Sequence, residues 1–518
     1  MGNLRAATPS RGGTPVLKRF MAAWGKEKRR FGKECRWCPA CGQLTRREET
    51  CQVCGELLPD PVETPLYSAL RGLTRWDPTE HKVLAGSLVK WIALGGAVGV
   101  VSGCASALFL WSLELVTETR MAHKSLILLL PLAGLLIGWV YSRYGRSVAG
   151  GNNVILDELH GGEGRVPLRM VPFVLSGTLV THLFGGSAGR EGTAVQMGGS
   201  LADAVARLFR LTPADRRILL TSGVAGGFGS VFGTPMAGTV FAMEVTQVGG
   251  VRYEGLVAAF AASMIGDLVV RAWGVGHTHY PSLLGFDIST GLLAKIALIG
   301  IAAGIVSRLF AELVHGVKAA FRTAVPWEPL RPVIGGLIVV IAVFGFQAFD
   351  YIGIGTPMIV QSFTPGAVPP PSFLWKLLLT AITLGAGFQG GEVTPLFFMG
   401  ATLGSALGQM LGVPPELAAG TGFVAVFAGA ANTPLACIIM GAELFGGGLP
   451  YLGLACIMAY IASGHAGIYT AQRVAIPKSK SLPVARLTTL GALHHARKPM
   501  LPTLSDSDDD GGEQAASD

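Results

Sequence analysis

Between residues 86 and 470 the chain is a succession of apolar runs separated by short polar or Gly/Pro breaks. LAGSLVKWIALGGAVGVVSGCASALFLW, SLILLLPLAGLLIGWVY, LLAKIALIGIAAGIVSRLFAELV and PVIGGLIVVIAVFGFQAF read as helices able to cross a hydrocarbon core of ~30 Å. Other runs, around 224–246, 387–402 and 424–444, fall short of a full span or are broken by Gly and Pro. Such segments survive in a bilayer only where their open backbone lines an internal cavity. The pattern predicts an all-α polytopic membrane protein built as a transporter or channel, not a simple anchor.

Composition agrees. Half of the 518 residues are hydrophobic, only 14% are charged, and there are 72 glycines. The net charge of +8 owes much to the flanks. The reading divides the chain into a basic segment at 1–30, a cysteine-rich module at 31–60, a linker at 61–85, a membrane domain at 86–472 and a polar tail at 473–518. The basic N-terminal stretch, with KEKRRFGK at 26–33 and no apolar signal core before it, is expected to stay in the cytoplasm, and the C-terminus is expected on the same side. The acidic end, SDSDDDGGEQAASD, is too polar to pack, and the tail is expected to be disordered.

The N-terminal module contains CRWCPACGQLTRREETCQVCGE. Cys38 and Cys41 form one Cys-x-x-Cys knuckle, and Cys51 and Cys54 form a second. Two knuckles of this spacing aim four thiolates at one tetrahedral ion, so the expectation is a structural zinc ribbon. Cys35 offers an alternative first knuckle with Cys38, and a redox disulfide is the competing reading of the pairs. Nothing in the module implies nucleic acid, because its basic surroundings are equally explained by topology and anionic lipid. A cytoplasmic partner for it is unknown. Cys104, Cys437 and Cys456 stand alone in apolar runs and read as small packing residues.

The membrane domain repeats itself. FGSVFGTPMAGTVFAMEV at 228–245 aligns with FAGAANTPLACIIMGAEL at 427–444, about 200 residues later, on Thr234-Pro235 with Thr433-Pro434 and on Glu244 with Glu443. GREGTAVQMGGSL at 189–201 has a counterpart in GGEVTPLFFMGATL at 390–403. Two halves, each with a Gly-Glu-Thr break and a Thr-Pro helix, suggest structural repeats whose broken helices meet near the midplane. The N–H groups and positive dipole ends at those breaks favour an anion. Glu191, an ionisable residue inside an apolar core, is a functional candidate for that reason alone.

The order GGNN at 150–153, GREGT at 189–193, GGEVTP at 390–395 and HAGIY at 465–469 resembles the CLC family of chloride channels and anion/proton antiporters. The departures from chloride-type members are Asn152-Asn153 in the first segment, Thr193 in the second and Glu392-Val393-Thr394 in the third. Together they resemble the bacterial branch that exchanges fluoride for protons.

The resemblance implies a homodimer of inverted repeats with one ion path per subunit, and it makes Glu191 the gate that takes a proton. It implies a proton-coupling role for Glu392, for which helix capping is the competing reading. Anion-binding candidates are Asn152, Asn153, Gly192, Val393, Thr394 and Tyr469. Fluoride gives up its water only for short, well-placed donors, which the Thr394 hydroxyl, the N–H groups near Val393 and the Asn152 amide could supply. Arg190 reads as architectural. Glu244 and Glu443 read as helix-end residues; Val245 stands where chloride-type antiporters place an inner acid. His160, His182 and His465 read as packed residues.

The favoured function is fluoride/proton antiport. The alternatives are a chloride or general anion transporter or channel, or a sensor that has lost transport. No enzyme motif is present: GAGFQGG at 385–391 lacks the strand and helix context of a nucleotide loop.

Overall fold

The computed structural model describes residues 78–495, except 163, 482, 483 and 486, together with two short strands nearer the N-terminus. These are β1 (Cys35–Trp37) and β2 (Leu44–Arg46), which pair antiparallel with Cys35 opposite Arg46. The zinc candidates Cys38, Cys41, Cys51 and Cys54 lie outside the described residues, as does the acidic end.

The remainder is helical. In chain order the helices are α1 (Pro78–Ala122), α2 (Leu130–Tyr144), α3 (Asn152–Leu159), α4 (Met170–Leu183), α5 (Glu191–Leu208), α6 (Pro213–Phe232), α7 (Pro235–Glu244) and α8 (Leu256–Ala272). They continue as α9 (Thr290–Ala324), α10 (Leu330–Phe346), α11 (Thr356–Gln361), α12 (Ser372–Ala386), α13 (Val393–Leu411), α14 (Pro415–Ala431), α15 (Pro434–Phe445), α16 (Leu449–Ala462) and α17 (Leu490–His495).

Among the described residues four stretches are long and apolar enough to cross a membrane: Glu80–Ala122, Lys124–Tyr144, Tyr253–Ala272 and Thr290–Ala324. The expected span at 332–349 is the shorter helix α10, whereas Tyr253–Ala272 qualifies in its place. Many of the others, including α4, α10, α12, α14, α15 and α16, are shorter apolar helices, as the interrupted hydropathy predicts.

The same local grammar is used twice. α6 begins with Pro213 at N1, with the Thr212 hydroxyl accepting Asp215 N–H, and ends at Gly233 in the left-handed region (φ 70°). α14 begins with Pro415 and ends at Asn432 with φ 57°. Proline at the first turn and a left-handed residue just past the last are the favoured start and stop, and each stop is followed at once by a Thr-Pro helix, α7 or α15. Packing repeats too. α5 crosses α6 where a methyl group on Gly198 would run into the Gly223 carbonyl, and α13 crosses α14 where one on Gly400 would run into that of Gly422. Only backbone-to-backbone contact fits at either crossing, as is usual for close helix pairs in membranes.

Where the halves meet, aromatic rings fill the core. Phe228 stacks on Phe241 at 4.3 Å between centroids and faces Phe427 at 6.1 Å, while Phe397 stacks on Phe423 at 4.2 Å. α3 is anchored from below its C-terminal half: Arg216 of α6 bonds Glu158 at 2.8 Å and also pairs with Asp203 of α5.

The C-terminal region differs from expectation. Part of the segment after 472 is packed, not a free tail: β3 (Gln247–Val248) pairs in parallel with β4 (Arg473–Val474), and Leu490 and Leu493 of α17 bury against Val248 and Val474. The polar residues hide this in the sequence, since a small cluster of apolar side chains carries the packing.

Candidate functional site

The two glycine breaks of the repeat lie side by side. Gly189 donates its N–H to the Gly391 carbonyl and Gly391 donates to that of Gly189, both at 2.7 Å, forming an isolated antiparallel bridge. Close approach requires glycine here: a Cβ on Gly391 would sit 2.8 Å from the Gly192 nitrogen, and one on Gly189 2.8 Å from Pro395 Cδ. The bridge sets the first turn of α5 against the first turn of α13.

Glu191, the first residue of α5, is fully buried. Its carboxylate accepts the Thr394 N–H at 3.0 Å and the Arg190 N–H at 3.1 Å. Thr394 Oγ1 lies 2.5 Å from both carboxylate oxygens, and with one proton it donates to one of them at a time. The Arg190 guanidinium adds an ion pair at 3.4 Å. A carboxylate from one half thus occupies the N-terminal turn of a helix in the other, where unpaired N–H groups and the helix dipole stabilise negative charge. The same donors suit a small anion of equal charge.

The other candidates fall around this pair. Asn152 opens α3 with its amide nitrogen near Gly192, 3.2 Å from where a Cβ would stand, and its buried Oδ1 has no hydrogen-bond partner. Asn153 does something different: its Oδ1 accepts Ala471 N–H at 2.9 Å, which holds the segment carrying Tyr469. Tyr469 is buried and lies within electrostatic reach of both Glu191 and Glu392. Glu392 occupies the N-cap position of α13, yet its side chain makes no capping hydrogen bond. It does not bond Thr394 either, whose hydroxyl is taken by Glu191. Lys318 of α9 is near enough for its positive charge to favour the carboxylate form of Glu392, without a direct ion pair.

The Thr-Pro helices do not contribute an open anion site. Glu244, at the end of α7, accepts the N–H groups of Leu435 (3.2 Å) and Ala436 (2.9 Å) at the start of α15. Glu443 of α15 reciprocates, accepting those of Met236 (2.9 Å) and Ala237 (2.8 Å) at the start of α7. Both acids are therefore helix caps exchanged between the halves, as their helix-end reading predicts. His182 is packed, its ring nitrogens beside the carbonyls of Thr178 and Ala188.

A cavity beside Glu191 was not foreseen. Arg190, Thr278 and Tyr280 give it polar walls, and Phe232, Phe397 and Phe423 give it apolar ones. Phe397 lies one turn beyond Thr394 on α13, a spacing visible in the sequence; Thr278 and Tyr280 come from an irregular segment with no motif. Gln196, one turn into α5 and close to Gly151 and Gly192, was also missed.

The sequence pattern of the voltage gated chloride channel family matches residues 133–464. A chloride/fluoride channel protein of Pseudomonas syringae pv. tomato is 49% identical over 411 residues, 78% of this chain and 90% of that one. An H(+)/Cl(−) exchange transporter ClcA of Yersinia pseudotuberculosis is 26% identical over 68% of this chain and 80% of its own. Among solved structures, a CLC-type fluoride/proton antiporter superposes with a TM-score of 0.72 at 35% identity, covering 75% of this chain and 98% of that one. With its broken helices, its glycine bridge and a buried glutamate at the meeting point of two halves, this chain belongs to the voltage gated chloride channel (CLC) family of membrane transporters and channels.

Proposed function

We propose that this protein exports fluoride across the bacterial inner membrane in exchange for protons, with Glu191 as the gate. The observation that carries the reading is the seat of the Glu191 carboxylate on the Thr394 N–H and hydroxyl, a short-range donor set that a small anion can use in its place. When Glu191 takes a proton, its negative charge disappears and the N-terminal turn of α13 is left to a fluoride ion. When the proton leaves, the carboxylate returns and displaces the ion. One site then cannot hold both charges, which is the basis of exchange.

Asn152, Gly192, Val393 and Tyr469 complete the anion path in this reading, and the buried Glu392 carries the coupled proton. The relatives support the halide and proton chemistry: they include a chloride/fluoride channel protein, a fluoride/proton antiporter and H(+)/Cl(−) exchangers. Chloride transport on the same fold is the second reading, favoured by the H(+)/Cl(−) exchangers and chloride channel proteins among the relatives. A homodimer and a zinc ion on Cys38, Cys41, Cys51 and Cys54, with Cys35 as the possible substitute, belong to the same proposal.

The test is ion efflux from liposomes containing the purified protein, loaded with fluoride or chloride, with proton movement followed in parallel. Fluoride efflux well ahead of chloride, with protons moving the other way, supports the reading. Equal or faster chloride efflux overturns the fluoride assignment, and fluoride efflux without protons overturns antiport.

A further inference from the structure

In an otherwise apolar α12, the polar residues Ser372, Lys376, Thr380 and Thr383 fall on one helix face and are all fully buried. The stripe meets two loops. Lys376 Nζ donates to the Gly353 carbonyl at 2.6 Å and to that of Tyr351 at 3.2 Å. Ser187 Oγ donates to the same Tyr351 carbonyl at 3.1 Å, so its 2.9 Å contact with Thr380 is a bond that the Thr380 hydroxyl donates. The Ser187 N–H donates to Thr383 Oγ1 at 3.2 Å, and the Gly353 N–H donates to the Gly186 carbonyl at 3.2 Å. Residues 186–187 and 351–353 are thereby tied to α12 and to each other.

Both loops lead to the gate. Ser187 lies two residues ahead of the Gly189 bridge and four ahead of Glu191, and the other loop runs on to Thr356, which lines the cavity beside Glu191. Lys376 reaches α13 as well: its Nζ lies 5.2 Å from the ring centroid of Phe398, one turn beyond Thr394. A side chain that is charged in water is costly to bury, and this one is met by carbonyls. Among the described residues no carboxylate pairs with it, and the Arg120 guanidinium that stands against Gly353 brings a second cation instead.

We propose that Lys376 is a positioning residue of the gate. Through Tyr351 and Ser187 it fixes the break from which Glu191 projects, so that the deprotonated carboxylate returns to the Thr394 donors before a second anion passes. The inference rests on the gate reading above. Lys376 touches neither ion; it governs how many fluoride ions pass for each proton. Without its two bonds the break is free to shift, the carboxylate returns late, and fluoride crosses without its proton.

The experiment follows fluoride efflux and proton uptake in parallel in liposomes containing the full chain, Lys376→Met, Lys376→Arg or Thr380→Val, with thermal unfolding of each in detergent. Methionine keeps the apolar stem and loses both donors. The expected result is that the number of fluoride ions per proton rises several-fold in Lys376→Met. It should return towards the unmodified value in Lys376→Arg, whose guanidinium can again donate to two carbonyls, and rise less in Thr380→Val, which loses one bond to Ser187. A plain brace would instead lower the unfolding midpoint and the total flux at an unchanged ratio, and that outcome in Lys376→Met overturns the proposal. Should Lys376→Met fail to assemble, an unchanged ratio in Thr380→Val overturns it. Fluoride efflux without protons in the unmodified chain overturns the antiport reading itself, before any variant is read.

Discussion

The Glu191 carboxylate and the Thr394 N–H, 203 residues apart in the chain, meet at 3.0 Å. This contact joins the two halves where their Gly-Glu-Thr breaks meet, and in the proposed reading it makes the gate and the anion seat a single set of donors.

Replacing Glu191 with glutamine keeps the shape of the side chain but removes its ability to give up a proton. Proton movement should fall to background while anion movement persists or changes rate. Parallel ion-selective and pH recordings decide this, and coupled protons in the variant would remove Glu191 from the gate.

Thr394→Val keeps the backbone N–H and loses the hydroxyl. A hydrogen bond to a charged partner contributes roughly 1.5–3 kcal/mol, so fluoride affinity by calorimetry should fall about tenfold to a hundredfold, and Thr394→Ser should recover most of it. Unchanged affinity would mean that the hydroxyl serves only the resting carboxylate.

For Glu244→Gln and Glu443→Gln, stability and not selectivity should change. A lost cap costs about 0.5–2 kcal/mol, and these carboxylates each accept two N–H groups at a positive helix end. Thermal unfolding in detergent should show a lowered midpoint for both. Lost proton coupling at unchanged stability would give Glu244 a transport role instead.

A methyl group at either helix crossing should be costly. Gly198→Ala and Gly400→Ala each force backbone apart and should destabilise by about 1–3 kcal/mol, to a similar extent because the crossings repeat. Unfolding midpoints that differ strongly between the two would deny the equivalence of the halves.

Metal analysis of the purified chain should find one zinc, lost when Cys38 and Cys51 are replaced by serine. Removal of residues 1–80 should leave fluoride flux measurable. Loss of all flux from a well-folded truncated protein would tie the N-terminal module to transport.

Much of this architecture could be read from the residues. The hydropathy breaks marked the short helices, and the Thr-Pro and Gly-Glu-Thr repeats located α7, α15, α5 and α13, because proline and glycine act through local backbone geometry. Glu191 and Thr394 stood out for the same reason. Their direct bond did not, since nothing local encodes which half a side chain reaches. Lys318, whose charge acts on Glu392, lies on a helix with no motif, and the caps of α7 and α15 come from 206 and 192 residues away in the chain. Packing after residue 472 was hidden because two short strands and two leucines leave almost no periodic signal.

The exchange of Glu244 and Glu443 bears on how such a chain can be made and divided. Each half lends the other an acid that its own helix end lacks, so a half synthesised alone would carry one exposed helix start and one stranded carboxylate. Two separately expressed halves, cut in the exposed stretch before α9, should accumulate only when produced together, each acting as the missing fragment of the other.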